Sequence, residues 1–382
     1  MEQGLEYIIV GAGFYGAVLA EQIAENLGKH VLVIDKRNHI GGNSYTENDL
    51  ETGIEKHVYG SHIFHTDKEA VWNYITQFTS FNNYRHKVLS TYKDSIYHIP
   101  INLLTINAFF KTRMNPKEAK EFIQQRAQEA LIKDPNNFEE KAISLMGREL
   151  YEAFIKGYTL KQWQTDPRNL PASIINRIPA KFNYDMGYFT DPWQGIPVDG
   201  YTKVFQRILD HPRIEVQLGV DFEDIQNQLP ATAFVIYSGP IDAFFHYKHG
   251  KLKYRSLRFE DKVVDVEDFQ GTAVMNYAEA QVPYTRIHEY RHYHPELNYV
   301  KDKTCITYEY SLDTGTENEP YYPVNTPQDK KILSKYQAEA ATLKNVLLGG
   351  RLGSYQYLDM DDAIELALND FNTVILSRVK NM

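Results

Sequence analysis

The residues with the clearest chemical signal lie among the first forty of the chain's 382 residues. Gly11, Gly13 and Gly16 form a G-x-G-x-x-G sequence, and an acid, Asp35, follows after about 20 residues, as in dinucleotide sites. The first glycine permits a tight turn, the second lets a pyrophosphate approach the backbone, and the third lets a helix pack closely on a strand. The acid accepts hydrogen bonds from a ribose. This spacing predicts a dinucleotide site.

The elements that must hold these residues are predicted on both sides of the glycines. A buried strand is predicted at Tyr7–Val10, a helix at 17–27 with its apolar residues on one side, and a second strand at 31–34. The N-terminus of that helix offers free N–H groups and the positive end of the helix dipole to a pyrophosphate. Together these elements predict a Rossmann-type βαβ unit.

The residues that follow the acid favour FAD over NAD as the dinucleotide. Lys36 comes at once, and Gly42 and Asn43 come soon after. A basic residue and a paired glycine that continue along the cofactor resemble the flavoprotein pattern, although an ordinary turn also explains the glycines. Phe14, inside the glycine motif, is predicted to contact the same cofactor.

A second cofactor-facing element is predicted near the end of the chain. An apolar strand at 345–348 leads to Gly350 and Arg351, and Asp359 and Met360 then precede a helical segment. The N-terminus of such a helix stabilises negative charge on a bound ring system. A routine helix cap is the alternative interpretation.

Composition limits the class of protein. Hydrophobic residues make up 43% and charged residues 24%, as in an ordinary globular protein. The net charge of -9 argues against a nucleic-acid partner, because phosphate backbones need a basic surface. Cys305 is the single cysteine, so neither a disulfide framework nor a metal site is predicted. Without a recognisable signal peptide or an apolar run long enough for a bilayer, we expect a cytoplasmic protein with no membrane contact.

The middle of the chain is predicted to be helical, with segments near 116–131, at Phe138–Met146 and at 148–158. A polar loop with Arg177 follows, and this arginine is either a mobile phosphate clamp or a solvated loop residue. A strand is predicted at 91–99, and further short strands without long helices between them suggest an antiparallel sheet.

The segment YEAFIKGYTLKQWQ within the helical block is unusually aromatic for a surface helix. Phe154, Tyr158 and Trp163 are either core residues or part of a site, and composition alone leaves both interpretations open. Tyrosines suit stacking on flat rings and hydrogen bonding to sugars.

Taken together, the ordered motifs resemble those of the prokaryotic UDP-galactopyranose mutases over nearly the whole chain. The motifs are YIIVGAGFYGAV, VIDKRNHIGGNSYT, YGSHIFHT, IKGYTLKQW, RIPAKF, QGIPVDGYTK, YRSLRFE, VPYTRI, EPYYPV and GGRLGSYQYLDM. Two small departures are Asp35, where glutamate is common, and Ser61, where alanine is frequent. Asp35 keeps the carboxylate and Ser61 remains small.

The resemblance implies an α/β fold with a discontinuous Rossmann-like FAD-binding domain, a helical-bundle insertion and an antiparallel sheet domain of about six strands. The expected boundaries are 1–80, 200–243 and 336–382 for the FAD domain, 101–178 for the helical substrate-gating domain with a mobile loop near 165–178, and 81–100, 179–199 and 244–335 for the sheet domain.

The resemblance also implies the reaction, which interconverts UDP-galactopyranose and UDP-galactofuranose and supplies galactofuranose for cell-surface glycans. Reduced FAD is required without net redox change, and its N5 forms a covalent adduct with the anomeric carbon while UDP leaves. An electron donor must reduce the flavin, and a homodimer is expected. The sequence leaves the acceptance of an N-acetylated sugar open, and we expect UDP-galactose because His65 stands where N-acetyl-accepting members have arginine.

Site roles follow from the matching motifs. The resemblance assigns the diphosphate to Arg177 and Arg286 as catalytic clamps, and His62 to a catalytic position against the flavin. The other substrate residues it implies are Phe154, Tyr158 for uracil stacking, Trp163, Tyr188, Asn276, Tyr322, Tyr357 and His65. Arg255 completes the cofactor set.

Two other functions remain open at this point. An amine oxidase-like flavin oxidoreductase shares the FAD fold and is distinguished by net substrate oxidation. A non-catalytic protein that binds nucleotide sugars would turn none of them over.

Overall fold

A computed structural model describes residues 6–177, 180–230, 232–315 and 318–380, without the side chains of Ser173, Asn176 and Arg177. Five parallel strands form what we call the nucleotide-binding sheet. In spatial order they are Val346–Leu348, Phe234–Tyr237, Tyr7–Val10, Val31–Asp35 and Ile214–Leu218. The first strands of the chain are almost continuously apolar and buried, as expected for parallel strands covered by helices.

The longest helices that share one core with the nucleotide-binding sheet are Phe14–Leu27, Tyr201–Leu209 and Met360–Asp370, and Glu69–Ile75 packs in the same core. Gly11 makes the turn between the first strand and the first helix with φ of 106°, and a Cβ there would lie 2.1 Å from Ser238 Oγ. Only glycine adopts this conformation in that space. The predicted βαβ unit is therefore confirmed.

Seven strands form a second, mixed sheet. Their order is Tyr322–Pro323, Tyr254–Val264, Thr304–Asp313, Arg286–Glu289, Val274–Tyr277, Val88–Tyr92 and Ser95–Ile99. The predicted antiparallel sheet of about six strands is present with one departure, because Val274–Tyr277 pairs in parallel with Val88–Tyr92. The single strand predicted at 91–99 is wrong. It is a hairpin that turns at Lys93 and Asp94, both with positive φ.

The helical block packs on the mixed sheet in one continuous core. Its helices are Leu103–Phe110, Pro116–Gln128, Phe138–Met146, Arg148–Leu150 and Gly157–Trp163, with a π-helix at Tyr151–Lys156 between the last two. The segment predicted at 148–158 therefore continues as helix to Trp163, inside the helical block predicted at 101–178. A π-helix shifts the angular position of every later side chain and often occurs at functional sites.

The remaining elements are short connections and peripheral helices. The helices are Glu69–Ile75, Phe222–Ile225, Ile241–Phe244, Pro327–Ala340, Gly350–Gly353 and Leu376–Lys380, with a π-helix at Phe371–Ile375. Short 3₁₀ turns are Gly42–Ser44, Pro167–Asn169, Ala172–Arg177, Gln226–Gln228 and Tyr290–Tyr293. Two small ladders pair Thr46–Asn48 with Glu55–His57 and Phe64–Thr66 with Trp193–Gly195. Among the described residues, none of the helices has both the length and the apolar character needed to cross a membrane.

Candidate active site

A cleft of about 1700 Å³ opens at the carboxyl ends of the central strands of the nucleotide-binding sheet. All fourteen residues predicted to bind the cofactor line it: Gly11, Gly13, Phe14, Gly16, Asp35, Lys36, Gly42, Asn43, His62, Arg255, Gly350, Arg351, Asp359 and Met360. Ligands of open parallel sheets bind in this position. The structure thus brings together residues separated by more than 300 positions in the chain.

The first helix supplies a phosphate-binding end to the cleft. Its N-cap, Gly13, has no capping side chain, so the first N–H groups of the helix have no acceptor within it. A Cβ on Gly42 would lie only 3.1 Å from Gly13 Cα, so the two backbones approach closely. A bare helix N-terminus bordered by glycine backbone fits a pyrophosphate.

Asp35 is held so that it can still accept more hydrogen bonds. Its Oδ2 accepts from the Ala12 N–H and its Oδ1 from the Arg37 N–H, both at 2.9 Å. A carboxylate has about four lone-pair sites, so each oxygen retains one for a ribose hydroxyl. The donor set and the glycine cradle fit a dinucleotide.

His62 lines the same cleft as a neutral ring. Burial lowers the pKa of His62 to about 4, and the positive charge of Arg351 acts in the same direction. The ring Nδ1 lies 2.7 Å from the Gly60 carbonyl oxygen, which only accepts, so Nδ1 donates its proton there. The Nε2 atom is therefore a hydrogen-bond acceptor at neutral pH.

Arg255 connects the cleft to the helical block. Its Nε donates to the carbonyl of Gln162 at 3.0 Å, and the guanidinium also pairs with Asp313. Trp163, next in the chain, also lines the cleft. The helix Gly157–Trp163 thus borders the cofactor cleft at one end.

The other end of that helix meets a second group, which joins four predicted residues to one acid that was not predicted. We call it the arginine cluster, and its members are Arg286, Tyr158, Tyr188, Asn276 and the acid Glu309. Arg286 donates to the Tyr158 hydroxyl and lies 3.2 Å from Glu309. Asn276 stands beside Arg286 on the neighbouring strand, and its buried Oδ1 has no hydrogen-bond partner among the described residues. Tyr188 is close enough to influence the charge of Arg286.

Electrostatics in the arginine cluster keep both ions charged. Burial alone would raise the pKa of Glu309, but Arg286 and a hydrogen bond from His288 outweigh it and lower the value to about 2. Burial would lower the pKa of Arg286, and Glu309 more than compensates and raises it. Burial raises the pKa of Tyr158 to about 12, so it remains a neutral phenol. The arginine therefore stays cationic beside neutral donors, as an anion site requires.

Tyr322 and Tyr357, both predicted to bind the substrate, lie beside Arg351 of the cleft. Their rings stack at 5.4 Å, and the Arg351 guanidinium lies 5.5 Å from each ring centre. Arg351 also donates to the carbonyl of Leu358, which fixes the loop before the helix at Met360. The cofactor and substrate candidates therefore adjoin one another at Arg351.

His65 belongs to a third group. Its Nδ1 lies 2.6 Å from Asp191, and its ring stacks on Phe189 at 3.7 Å. Phe189 in turn contacts Tyr188, a member of the arginine cluster.

Of the other predicted substrate residues, Phe154 is not brought to these groups, and the side chain of Arg177 is not described. Phe154 is 4% exposed and packs against Tyr92, Tyr97 and Phe109 in the helical core. Arg177 ends a 3₁₀ turn, and its side chain lies outside the described part of the structure. The assigned roles of both residues stay predictions.

The sequence reasoning missed Glu309, His288 and Arg37. Glu309 lies on the buried face of the strand Thr304–Asp313 with Thr307 and Ser311, and an acid at an inward position of a strand was the available signal. Arg37 lies 4.3 Å from the centre of the Tyr59 ring and pairs with Glu319 at the cleft.

One further set of side chains has metal-ligand character, although the sequence predicted no metal. Ligand atoms of Asp268, Glu289 and His292 lie within 4.8 Å of one another, and none of these residues lines the cleft. Backbone N–H groups at residues 269–271 already donate to the two carboxylates.

Comparison with known proteins agrees with this geometry. The family model for UDP-galactopyranose mutase matches residues 153–357, and a model for an NAD(P)-binding Rossmann-like domain matches residues 9–78. A probable UDP-galactopyranose mutase from Klebsiella pneumoniae is 45% identical over 98% of this chain and 95% of its own length. A dTDP-fucopyranose mutase from Escherichia coli is 42% identical over 94% and 96%, respectively.

The fold also matches a solved structure. The crystal structure of a reduced UDP-galactopyranose mutase superposes with a TM-score of 0.75 at 15% identity, covering 98% of this chain and 95% of that one. At this identity the match supports the fold alone, whereas the relatives at 45% and 42% identity establish the family. The chain belongs to the UDP-galactopyranose mutase family.

Proposed function

We propose that this protein interconverts UDP-galactopyranose and UDP-galactofuranose with FAD bound in the cleft. The observation that supports this most is the junction at Arg351. A cleft with the features of a dinucleotide site there adjoins stacked tyrosines. Such a junction suits a reaction in which a cofactor and a nucleotide sugar meet, with product galactofuranose entering cell-surface glycans.

FAD fits the residues of the cleft. The helix N-terminus at Gly13 would hold the pyrophosphate, and Asp35 the adenosine ribose. His62 and Arg255 would lie toward the flavin. Reduced FAD, when bound, supplies the nucleophile for the anomeric carbon, without net oxidation of the sugar.

The arginine cluster would hold the leaving group. Arg286, with Arg177 as its proposed partner, would bind the diphosphate and neutralise the charge that develops when the anomeric bond breaks. Tyr188, Tyr322 and Tyr357 would donate to the diphosphate oxygens, and these hydrogen bonds would keep UDP close for its return.

The remaining residues would orient the substrate and exclude water. Tyr158, a neutral phenol beside Arg286, would stack on the uracil, with Trp163 closing over it. Asn276 would use its free Oδ1 to accept from a sugar hydroxyl. His62 would present an uncharged Nε2 acceptor at the reacting centre, and His65 would lie near the sugar.

A second substrate class deserves testing because a relative at 42% identity is a dTDP-fucopyranose mutase. dTDP-fucose differs from UDP-galactose in both base and sugar, yet it presents the same diphosphate to the arginines. The alternative activity is thus a pyranose–furanose mutase for dTDP-fucose at the same site.

The test is a product analysis of UDP-galactofuranose incubated with FAD-bound protein, with and without dithionite. We expect conversion to the pyranose only under reduction and without net oxidation. A parallel assay with dTDP-fucofuranose decides the substrate, because kcat/KM for the natural nucleotide sugar should exceed kcat/KM for the other nucleotide sugar at least tenfold. Peroxide formation with an oxidised product would instead indicate the oxidoreductase, and binding without turnover would indicate a binding protein.

Several further expectations accompany the proposal. The flavin needs an electron donor, and the domain boundaries given above, a cytoplasmic location and a homodimer all remain predictions. Light scattering of the FAD-bound protein tests the last of these.

A further inference from the structure

A chain of hydrogen bonds runs from the core to Glu309, and an ionic contact continues it to Arg286. The Ser61 hydroxyl contacts both the Tyr293 hydroxyl and Nδ1 of His288. The other ring nitrogen of His288, Nε2, lies 3.0 Å from Glu309 Oε2, and Glu309 Oε1 lies 3.2 Å from Arg286 Nε. His288 and Tyr293 are fully buried.

The direction of this chain follows from the carboxylate at its end. Ionised Glu309 only accepts, so His288 must donate from Nε2, and a neutral ring then accepts at Nδ1. Ser61 must therefore donate to His288, and its oxygen is left to accept from Tyr293. Burial lowers the pKa of His288, which agrees with a neutral ring. Every proton in the chain thus points toward Glu309.

The same short loop faces both halves of the site. A Cβ on Gly60 would lie 3.5 Å from Glu309 Oε2, Ser61 contacts His288, and His62 lines the cofactor cleft. Three consecutive residues thus connect the cleft to the carboxylate beside Arg286.

Arg286 depends on the place of that carboxylate. Among the described residues its Nε has no aligned hydrogen bond, although Glu309 is 3.2 Å away, so the contact is ionic rather than directional. An ionic contact fixes the guanidinium only where the carboxylate is itself fixed. Thr285 at 3.2 Å and His288 at 3.0 Å are the side chains that donate to it.

We propose that Ser61 and His288 are positioning residues, which hold the Glu309 carboxylate and through it orient Arg286 toward the diphosphate of the substrate. This rests on the proposed function, because that function assigns the diphosphate to Arg286.

The test measures binding of UDP and of uridine to the FAD-bound protein by calorimetry. Ser61→Ala should weaken UDP binding about threefold to tenfold, as the loss of the hydrogen bond that Ser61 donates to His288 predicts. His288→Leu should weaken it tenfold or more, and His288→Gln, which keeps a donor toward Glu309, should restore most of the affinity. Uridine lacks the diphosphate, so its affinity should stay unchanged in each variant.

Thr304→Val is the matched control. Thr304 lies on the same strand as Glu309, and its hydroxyl donates a hydrogen bond to another buried carboxylate, that of Glu289. Its UDP affinity should equal that of the wild type. In an Arg286→Ala background, Ser61→Ala should add no further loss.

Three results would overturn the inference. The first is UDP affinity equal to that of the wild type in both Ser61→Ala and His288→Leu. The second is a loss of UDP affinity on Ser61→Ala that persists in the Arg286→Ala background, which would show that Ser61 has a merely structural role. Unchanged UDP binding in Arg286→Ala alone would instead refute the proposed assignment of Arg286, and the inference with it.

Discussion

Glu309 offers the sharpest test of the electrostatics at the arginine cluster. Its side chain is 8% exposed, and Arg286 and His288 outweigh the effect of burial and lower its pKa from 4.5 to about 2. A lowered pKa means that the unfolded chain binds the proton more readily than the folded one. Ionised Glu309 therefore stabilises the fold above pH 4.5, and this stability disappears as the pH falls toward 2.

The size of the effect follows from the shift. The change from 4.5 to about 2 corresponds to about 3 kcal/mol in the free energy of unfolding at pH 7. Glu309→Gln should lose about this amount, which is the lower end of the cost of breaking a buried ion pair. Arg286 is 27% exposed, so water compensates part of its lost partner.

Urea unfolding of the FAD-bound protein between pH 7 and pH 3.5 measures this difference. The gap between wild type and Glu309→Gln should be about 3 kcal/mol at pH 7 and shrink steadily below pH 4.5. Glu260→Gln is the control, because Glu260 is 57% exposed and pairs with Arg258 at 3.3 Å, a surface contact worth under about 1 kcal/mol. Equal stability of wild type and Glu309→Gln at pH 7, or a gap independent of pH, would refute the reasoning.

Three more substitutions or titrations test the cleft and its support. Gly16→Ala would place a Cβ 2.0 Å from the Gly11 carbonyl oxygen, so we expect flavin affinity to fall at least tenfold, and unchanged retention of flavin would contradict this. Tyr15→Phe removes the 2.6 Å hydrogen bond to Asp370, whose pKa burial raises, and should cost about 1–3 kcal/mol in urea unfolding; no loss would count against a supporting role. The ring of His62 should titrate near pH 4 by NMR, and a midpoint near its ordinary 6.5 would show that it is not buried as described.

The N-terminal βαβ unit could be predicted from sequence because its determinants are local. Gly11, Gly13, Gly16 and Asp35 occur within a single strand–helix–strand unit. A Cβ would lie 2.1 Å from Ser238 Oγ at Gly11 and 2.0 Å from the Gly11 carbonyl oxygen at Gly16, so both positions require glycine. The C-terminal return at Gly350 and Met360 was predictable for the same reason. Their meeting at one cleft followed from the topology of a parallel sheet.

The mixed sheet was less predictable because strand pairing joins distant segments. Lys93 and Asp94 adopt positive φ, and the hairpin they form lacks the glycine that usually marks a two-residue turn in a sequence. The parallel pair between Val88–Tyr92 and Val274–Tyr277 joins residues 186 positions apart, and no local pattern specifies it. The π-helix at Tyr151–Lys156 likewise follows from packing, since its residues have ordinary helical character.

The candidate site, like the fold, could be predicted from the sequence only in part. Arg286, Tyr158 and the tyrosines at 322 and 357 could be named from family motifs, but their partners could not. Glu309 and His288 reach Arg286 only through strand register, which pairs Arg286 with Glu309 across two strands. Single-residue motifs therefore identified the groups that face the ligand and missed the groups that hold them.

The proposed function requires that the cofactor cleft and the arginine cluster form one reaction site. It is tested most directly by the rate at which FAD-bound, dithionite-reduced protein converts UDP-galactofuranose, measured for wild type and Arg286→Ala. We expect conversion by the reduced wild type and a loss of about a hundredfold or more in the variant, which should retain its flavin. A wild-type rate in Arg286→Ala, or equal conversion by the oxidised protein, would contradict it.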